Sequence, residues 1–224
     1  MAPATRTRGQ IVLGSVFAPE VLFKLMDRND RSRPLMVVSV GENEPAKWGT
    51  SAGLFYKTVT TRRVRSDYNH VHNRDVIKKA WRDMNDEVAG RGFSGVQKYY
   101  ANDRIVVPIF RVVELLLEDH PESAGRPVVL MHAPDFRIMN EQRAMRILVD
   151  CYRVVAAAAA VASVPLHMPP LSAGVFAKDR QTKQRILGAC KRELLHPAPV
   201  IATGGVSAYV YCFTAEERKM LMEA

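Results

Sequence analysis

The chain has 224 residues, 47% hydrophobic and 25% charged, which is the composition of a folded globular protein and excludes a disordered or fibrous chain. Lys and Arg number 32 against 23 Asp and Glu, and the net charge of +9 favours polyanionic partners such as RNA, nucleotides or anionic lipid, or serves solubility alone. No apolar run is long enough to span a bilayer, no secretory signal is expected, and three scattered cysteines argue against a disulfide scaffold or a zinc finger.

The amino-terminal segments follow from hydrophobic spacing. Residues 1–9 are predicted to be a loose basic arm, residues 10–17 a short strand and residues 18–29 a helix. Residues 35–40 are a continuous apolar run rich in β-branched side chains, which predicts a strand buried on both faces of a sheet. Residues 41–53 then form a loop rich in small side chains.

The middle of the chain is predicted to hold an exposed basic segment before its helices. The stretch 60–73 is polar and basic and is predicted to be an exposed excursion. Apolar side chains at helical spacing predict a helix over residues 75–89, with Asn73 or Asp75 capping its start. Two further segments follow, an apolar run at 104–110 and a predicted helix at 112–119.

From residue 128 onward, apolar strands alternate with helices. Because these strands are continuous apolar runs, the order predicts an α/β sandwich with a mostly parallel central sheet. Ligands of such sheets bind at the carboxyl ends of the strands, so the small-residue loops 41–53 and 171–177 form the predicted anion site. The segments are strands at 128–134, 163–170 and 206–213, helices at 140–160 (capped by Asn140) and 181–195, and a closing helix with a Thr214–Glu217 capping box.

Signals for metal or nucleophilic chemistry are few. His132 and His167 lie inside apolar strands and are interpreted as core residues. His70 and His72 lack a third ligand at a sensible spacing, so no metal is expected. Ser172 is not set in a Gly-x-Ser-x-Gly elbow, and the sequence contains no GxxxxGK[ST] phosphate loop.

A set of motifs between residues 128 and 222 carries a family resemblance. The loop Ser172-Ala173-Gly174-Val175-Phe176 follows an apolar strand, a Tyr-bearing helix and a second strand, and precedes a last strand and helix. In motif, order and spacing this stretch resembles a macro domain, the ADP-ribose-binding module. It is most similar to macro domains of positive-strand RNA virus replicase polyproteins of the alphavirus type, whose loop has Thr where Ala173 stands.

The amino-terminal half is similar to the same family in outline. Asn43 falls on the second asparagine of the family's Asn-Ala-Ala-Asn motif, and Val40 falls on the first. Gly49 and Gly53 match the outer glycines of the glycine-rich loop that follows. Gln10 stands at the Asp of the family's Gly-Asp-Ile, which binds the adenine amino group, and it retains an acceptor without the charge.

The resemblance implies one macro-like domain over residues 1–224, with an insertion around 57–105. Its fold would be a three-layer α/β/α sandwich with a mixed, mostly parallel central sheet. The diphosphate would lie between backbone amides at Gly49 and Gly53 and those of residues 172–176. Phe176 would pack on the distal ribose, and Asn43 would be the catalytic residue that helps to place a water.

Three functions remain open on the sequence. The first is binding of ADP-ribose or a related nucleotide diphosphate, with or without removal of mono-ADP-ribose from proteins by a hydrolase activity. The second is RNA binding through a basic surface that includes Arg62, Arg63 and Arg65. The third is a structural domain of a viral protein without a ligand. Expected partners are ADP-ribose, ADP-ribosylated protein and RNA; no cofactor is expected, and the expected location is the cytoplasm, of the host cell if the protein is viral.

Overall fold

The apolar runs of the sequence pair into one six-stranded sheet. The computed structural model describes residues 9–25, 34–42, 51–61, 67–102, 106–116, 125–195 and 207–224. Their strands are β1 (Gln10–Leu13), β2 (Leu35–Val40), β3 (Phe110–Leu115), β4 (Arg126–His132), β5 (Leu166–Met168) and β6 (Ala208–Cys212). Their helices are α1 (Pro19–Leu25), α2 (Ser51–Thr60), α3 (Asp67–Gly90), α4 (Val96–Ala101), α5 (Glu141–Ala162), α6 (Arg180–Cys190), which continues into a π-helical turn at Lys191–Leu195, and α7 (Ala215–Glu223).

The sheet is mixed and mostly parallel. Its strand order is β1-β6-β5-β2-β4-β3, and only the β3–β4 pair is antiparallel among the described strands. In the central pair, Met36 is opposite Val128 and Val40 is opposite His132. Because β1, β2, β4, β5 and β6 run in the same direction, their carboxyl ends meet at one edge of the sheet, where loops converge.

Helices cover both faces of this sheet. The connection from β1 to β2 crosses the sheet in one direction, and those from β4 to β5 and from β5 to β6 cross in the other. Since parallel crossovers are almost always right-handed, α1 lies on one face and α5 and α6 lie on the opposite face. The α2 helix joins the α1 side, where the Phe17 and Phe55 rings lie 5.2 Å apart and Thr58 Oγ1 donates to the Phe17 carbonyl. The predicted three-layer α/β/α fold class is confirmed.

Local signals in the sequence were accurate where the chain is strongly patterned. Val37 and Val38 of β2 and Val128 and Leu130 of β4 are completely buried, as a doubly covered sheet requires. Asn140 caps α5 by accepting from the Arg143 amide at 3.2 Å. No helix in the described part of the chain is long and apolar enough to cross a membrane.

The capping box at the start of α7 is present with one difference. Thr214 Oγ1 accepts from the Glu217 amide at 3.1 Å, as predicted. The Glu217 carboxylate, however, accepts from the amide of Phe213 at 2.8 Å rather than from that of Thr214. The Glu217 carboxylate therefore accepts from an amide one residue earlier in the chain than in a standard capping box, and this hydrogen bond connects α7 to the residue that follows β6.

The helix predicted over residues 112–119 is wrong. Phe110–Leu115 is strand β3, in which Val113 and Leu115 are buried while Val112 and Glu114 are exposed. This burial alternates with a period of two, as in a strand that packs on one face only. Antiparallel pairing with β4 provides backbone partners that the local sequence does not reveal. Residues 117–119 lie outside the described residues.

The exposed excursion predicted over residues 60–73 is also wrong for its second part. The described chain is helical from Asp67, and Asn69 and Asn73 are buried. Asn73 therefore lies in the interior of α3 and does not cap it. The helix ends at Gly90, one residue beyond the predicted end at residue 89. The predicted strand over residues 10–17 is shorter, because Gly14 turns the chain with a φ of 119°.

Candidate functional site

A cavity of about 270 Å³ opens at the carboxyl edge of the parallel strands. Its volume is near the lower end of the range of small-molecule sites, roughly 300–1,000 Å³. The cavity lies where the ends of β1, β2, β5 and β6 meet the start of α2 and the loop after β5. The lining residues are Gly14, Ser15, Val16, Ser39, Val40, Gly41, Ser51, Ala52, Pro169, Pro170, Ser172, Gly174, Val175, Phe176, Lys183, Tyr211, Phe213, Thr214 and Glu217.

The loop of residues 171–177 forms one wall of the cavity and is held in place by hydrogen bonds to neighbouring elements. The amide of Leu171 donates to Tyr152 Oη at 3.0 Å, and Ser172 Oγ donates to the Pro134 carbonyl at 2.7 Å. The amide of Phe136 donates to the carbonyl of Phe176 at 3.0 Å. Ser172 has a φ of 60°, a left-handed conformation that non-glycine residues rarely adopt. The wall is therefore built in advance of any ligand.

The Tyr152→Phe variant is expected to lose about 1–2 kcal/mol of unfolding free energy, because it leaves the buried Leu171 amide without its acceptor. The variant should also bind any ligand of the cavity more weakly, since the wall is less firmly held. Thermal unfolding monitored by circular dichroism measures the first effect. Tyr56→Phe, on half-buried Tyr56 of α2, is the control; losses of equal size in both variants would contradict this role for Tyr152.

The end of β2 is also fixed by neighbouring helices. Trp81 Nε1 of α3 donates to the Gly41 carbonyl at 2.9 Å. The carboxylate of Glu42 accepts from the amides of Val96 and Gln97 at the start of α4, while burial raises its pKa above the usual value. A Cβ atom at Gly95 would overlap Glu42 Oε1, so a glycine is required for this approach. The bulk of Glu42 is thus directed toward α4, and Glu42 is not among the residues that line the cavity.

An ion pair lies at the β1–β6 end of the cavity. Lys183 Nζ of α6 is 3.1 Å from Glu217 Oε1 of α7, and the Glu217 side chain is only 9% exposed. Phe213, which follows β6, is 63% exposed and presents an aromatic surface at the mouth. Tyr211 Oη lies 2.9 Å from His167 Nδ1, and burial raises the pKa of Tyr211 to about 12, so its phenol stays neutral.

The structure brings together most of the predicted residues of the second loop. Ser172, Gly174, Val175 and Phe176 line the cavity, whereas Ala173 is buried behind them. Gly41, Ser51 and Ala52, which belong to the first small-residue segment, line the same cavity. Gly53 lies in the first turn of α2 and is not among the lining residues. Asn43, Gly49, Arg62, Arg63 and Arg65 lie outside the described residues.

The structure does not bring Gln10 to the cavity. Gln10 begins β1, and Gly14, which lines the cavity, follows the other end of that strand. At about 3.3 Å per residue, the two positions are separated by on the order of 13 Å. Gln10, to which the resemblance assigned the adenine contact, therefore lies at the opposite end of β1 from the cavity.

The residues that line the cavity at the carboxyl end of β1 were not predicted from the sequence. Gly14-Ser15-Val16 also fits the Gly-Asp-Ile pattern, with Ser15 in place of the aspartate, and all three line the cavity. The signal was available, since this tripeptide directly follows the apolar run of β1. Lys183 and Phe213 had no comparable signal, because one lies within a polar helix and the other next to a helix cap.

His132 and His167, which the sequence analysis interpreted as core residues, are both buried. His132 is completely buried, and burial lowers its pKa to about 4. His167 stacks on the Tyr209 ring with centroids 4.4 Å apart. In the part of the chain that the structure describes, no group of three or more His, Cys, Asp or Glu side chains is placed to hold a metal ion.

Comparison with known proteins gives the fold a name. No family model matches the sequence, and no curated protein matches it significantly. Among solved structures, the Oceanobacillus iheyensis macrodomain with ADP superposes with a TM-score of 0.58 at 13% identity, covering 95% of this chain and 87% of that one. A mutant of that macrodomain with ADPR gives 0.57 at 12% identity, covering 95% and 89%.

A third similar structure comes from a different organism than the first two. The Trypanosoma brucei macrodomain in complex with ADP superposes with a TM-score of 0.51 at 16% identity, covering 96% of this chain and 68% of that one. Identities this low show a shared architecture and leave function to be argued from the site. The strand order, the layers and these superpositions agree: the chain has the macrodomain fold.

Proposed function

We propose that the chain binds ADP-ribose or a related nucleoside diphosphate in the cavity at the carboxyl edge of its sheet. The observation that carries the proposal is the convergence of two backbone segments, Gly41 with Ser51 and Ala52 on one side and residues 172–176 on the other, around one preformed space. Open α/β sheets bind ligands at this edge.

The electrostatics of the cavity favour a diphosphate. Ser51 and Ala52 begin α2, and the first turn of a helix carries partial positive charge and N–H groups without helical partners. Gly174 on the opposite wall is exposed, and no atom lies within 4 Å of the position that a Cβ would take there. An anion can therefore approach the backbone closely from both sides.

The two ends of the cavity suit the flat groups of a nucleotide. Phe213 is exposed at the β1–β6 end and can stack on a base, a contact worth roughly 1–3 kcal/mol in nucleic-acid complexes. Phe176 lines the other end, and its ring is held by the Arg137 guanidinium, 5.6 Å from the ring centroid. The similar macrodomains were solved with ADP or ADPR, which supports a nucleoside diphosphate as the ligand class.

Titration calorimetry with ADP-ribose tests the proposal. We expect binding with a Kd on the order of micromolar, and we expect Gly174→Glu to weaken it at least about 100-fold, because a carboxylate in the wall repels the diphosphate. Gly174→Ala is the matched control: it adds a Cβ where the structure has open space, so the fold is unchanged and the affinity changes far less. Absence of heat with the native chain at millimolar ADP-ribose, or equal affinities for the two variants, would contradict the proposal.

The proposal concerns binding alone. Removal of mono-ADP-ribose from proteins was predicted through Asn43, and RNA binding through Arg62, Arg63 and Arg65; these residues lie outside the described part of the chain. Both activities therefore stay predictions from the sequence. RNA binding is compatible with nucleotide binding, because a basic surface and a phosphate site can coexist on one protein.

A further inference from the structure

An arginine outside the cavity contacts the aromatic ring at one of the cavity's ends. The guanidinium carbon of Arg137 is 5.6 Å from the centroid of the Phe176 ring, within the range of a cation–π contact. Phe176 lines the cavity, whereas Arg137 is not among the lining residues. The guanidinium therefore supports the ring without occupying the space that a ligand would fill.

Arg137 is itself fixed by a buried carboxylate. Its Nε donates to Asp135 Oδ1 at 2.9 Å, and one of its terminal nitrogens donates to Asp135 Oδ2. The Asp135 side chain is only 6% exposed, whereas that of Arg137 is 49% exposed. Two hydrogen bonds between one guanidinium and one carboxylate fix the plane of the guanidinium, so Arg137 keeps one orientation beside the ring although it lies near the surface.

Asp135 is anchored in turn to the core. Its amide donates to Gln97 Oε1 of α4 at 2.8 Å, and Gln97 Nε2 donates to the Ala133 carbonyl at 3.0 Å. The amide of Phe136 donates to the Phe176 carbonyl at 3.0 Å. Both the backbone and the ring of Phe176 are therefore held by the segment that follows β4.

Phe176 and Phe213 lie at opposite ends of the cavity. Phe213 follows β6, whereas the Phe176 carbonyl is bonded to a residue that follows β4. In the sheet, β6 and β4 are separated by β5 and β2, so at the usual spacing of strands they lie about 14 Å apart. A diphosphate bound between these two ends leaves one end of the cavity for each of its substituents.

ADP and ADP-ribose differ at one of these ends. ADP carries adenosine on one phosphate and ends at the other, whereas ADP-ribose carries a ribose on the second phosphate. With adenine on Phe213, only ADP-ribose has a group that extends toward Phe176. A ring that is already fixed contacts this group at a smaller cost, because ordering a side chain on binding opposes association.

We propose, resting on the function proposed above, that Arg137 is a positioning residue for ligand selection. Anchored on Asp135, it holds the Phe176 ring in place. It thereby favours diphosphates that carry a group on both phosphates, such as ADP-ribose, over those that end in a free phosphate, such as ADP.

Titration calorimetry with ADP-ribose and ADP, on the native chain and on Arg137→Ala, tests this role. We expect the native chain to bind ADP-ribose about tenfold more tightly than ADP, and Arg137→Ala to reduce this preference to about twofold by weakening ADP-ribose. ADP carries at least as much negative charge as ADP-ribose, so loss of a cation alone weakens ADP at least as strongly and does not lower the preference. The ratio of the two affinities therefore separates positioning of the ring from an effect of charge or of fold stability.

A double-mutant cycle tests whether Arg137 acts through Phe176. Phe176→Ala is expected to abolish the preference, and adding Arg137→Ala to it should change the ratio of the two affinities by less than about twofold. Arg137→Lys keeps the charge but lacks the planar pair of donors, so it should retain only part of the preference.

Arg153→Ala is the matched control. Arg153 also pairs with a largely buried carboxylate, since its Nε is 3.1 Å from Glu193 Oε2 and the Glu193 side chain is 12% exposed. Its own side chain is 56% exposed, and it does not line the cavity. The preference should persist in this variant. Circular dichroism checks the fold of each variant, and the comparison of the two ligands on the native chain tests the preference even if Arg137→Ala unfolds.

The outcomes separate this role from binding itself. ADP binding to the native chain as tightly as ADP-ribose overturns the preference and leaves the proposed nucleotide site intact. Equal losses for both ligands in Arg137→Ala, or a further fall of the ratio when Arg137→Ala is added to Phe176→Ala, overturn the role of Arg137 in positioning the ring. Failure of both ligands to bind the native chain overturns both proposals.

Discussion

Asn73→Ala is expected to lower the free energy of unfolding by about 3–5 kcal/mol, the largest change among the variants considered. The Asn73 side chain is completely buried and makes three hydrogen bonds to backbone groups. Its Nδ2 donates to the carbonyls of Val59 and Leu116 at 3.0 and 2.9 Å, and its Oδ1 accepts from the Leu116 amide at 2.8 Å. Each group left without a partner costs about 1–3 kcal/mol.

The physical reason is that one amide joins three elements. Asn73 lies in α3, Val59 lies in α2, and Leu116 follows β3 at the edge of the sheet. Alanine supplies no donor or acceptor and leaves a void too enclosed for easy repair. Denaturant unfolding followed by circular dichroism measures the loss.

Asn85→Ala is the matched control on the same helix. Asn85 Nδ2 donates to the Trp81 carbonyl, four residues earlier in α3, so its removal breaks a bond within one helix only. We expect a change of less than about 1 kcal/mol. Equal losses in the two variants would show that Asn73 does not connect the three elements in the way described.

Acidification is expected to destabilise the fold through His132. Burial lowers the pKa of His132 to about 4 in the folded chain, against about 6.5 for an unfolded histidine. Between these values the unfolded chain binds more protons than the folded chain, so stability rises with pH across this window. The contribution of His132 is fully present above about pH 6.5 and is lost progressively as the pH falls toward 4. Between pH 7 and pH 5 the loss from this residue is about 2 kcal/mol.

His132→Leu isolates this effect from the other titrating groups. Leucine has a comparable volume and fits the apolar interior around the end of β4, and it cannot be protonated. Denaturant unfolding at pH 7 and pH 5 should show a drop about 2 kcal/mol smaller in the variant than in the native chain. Identical drops in both proteins would mean that His132 is protonated without unfolding and would disprove its assignment as a neutral core residue.

The sequence was sufficient for the elements that have strong local patterns. The runs 35–40 and 128–132 are apolar along their whole length, and such runs are stable only between two covered faces. Asn140 and Thr214 cap helices through bonds to amides three residues away, so the relevant contacts lie within the local sequence. The mostly parallel arrangement of the strands was predicted from the same alternation of apolar runs and helices.

Elements whose partners are distant in sequence were predicted incorrectly. The segment 112–119 contains three leucines and three acidic residues, which suit a helix, and pairing with β4 makes Phe110–Leu115 a strand. The polar residues around Asn73 have the composition of a loop, and their burial depends on backbone groups of α2 and of the residue after β3. Local propensity is weaker than such tertiary contacts.

The same distinction between local patterns and distant contacts applies to the candidate site. The loop at 172–176 was recognised because its small residues follow a strand directly, and contacts through the backbone require little from the side chains. Gln10 lies away from the cavity because it begins β1, and only the folded chain shows that Gly14, Ser15 and Val16, after the carboxyl end of that strand, line the cavity. The Lys183–Glu217 pair joins α6 to α7, and no spacing in the sequence indicates it.

The sequence alone therefore indicated the fold class, five of the six described strands and the caps of two helices, because each depends on hydrophobic periodicity or on bonds spanning a few residues. The tertiary structure alone established which residues of the first loop line the cavity, the buried hydrogen bonds of Asn73 and the Lys183–Glu217 pair near Phe213. Those features depend on which distant side chains share a small space. Which distant side chains come together depends on how all the helices and strands pack.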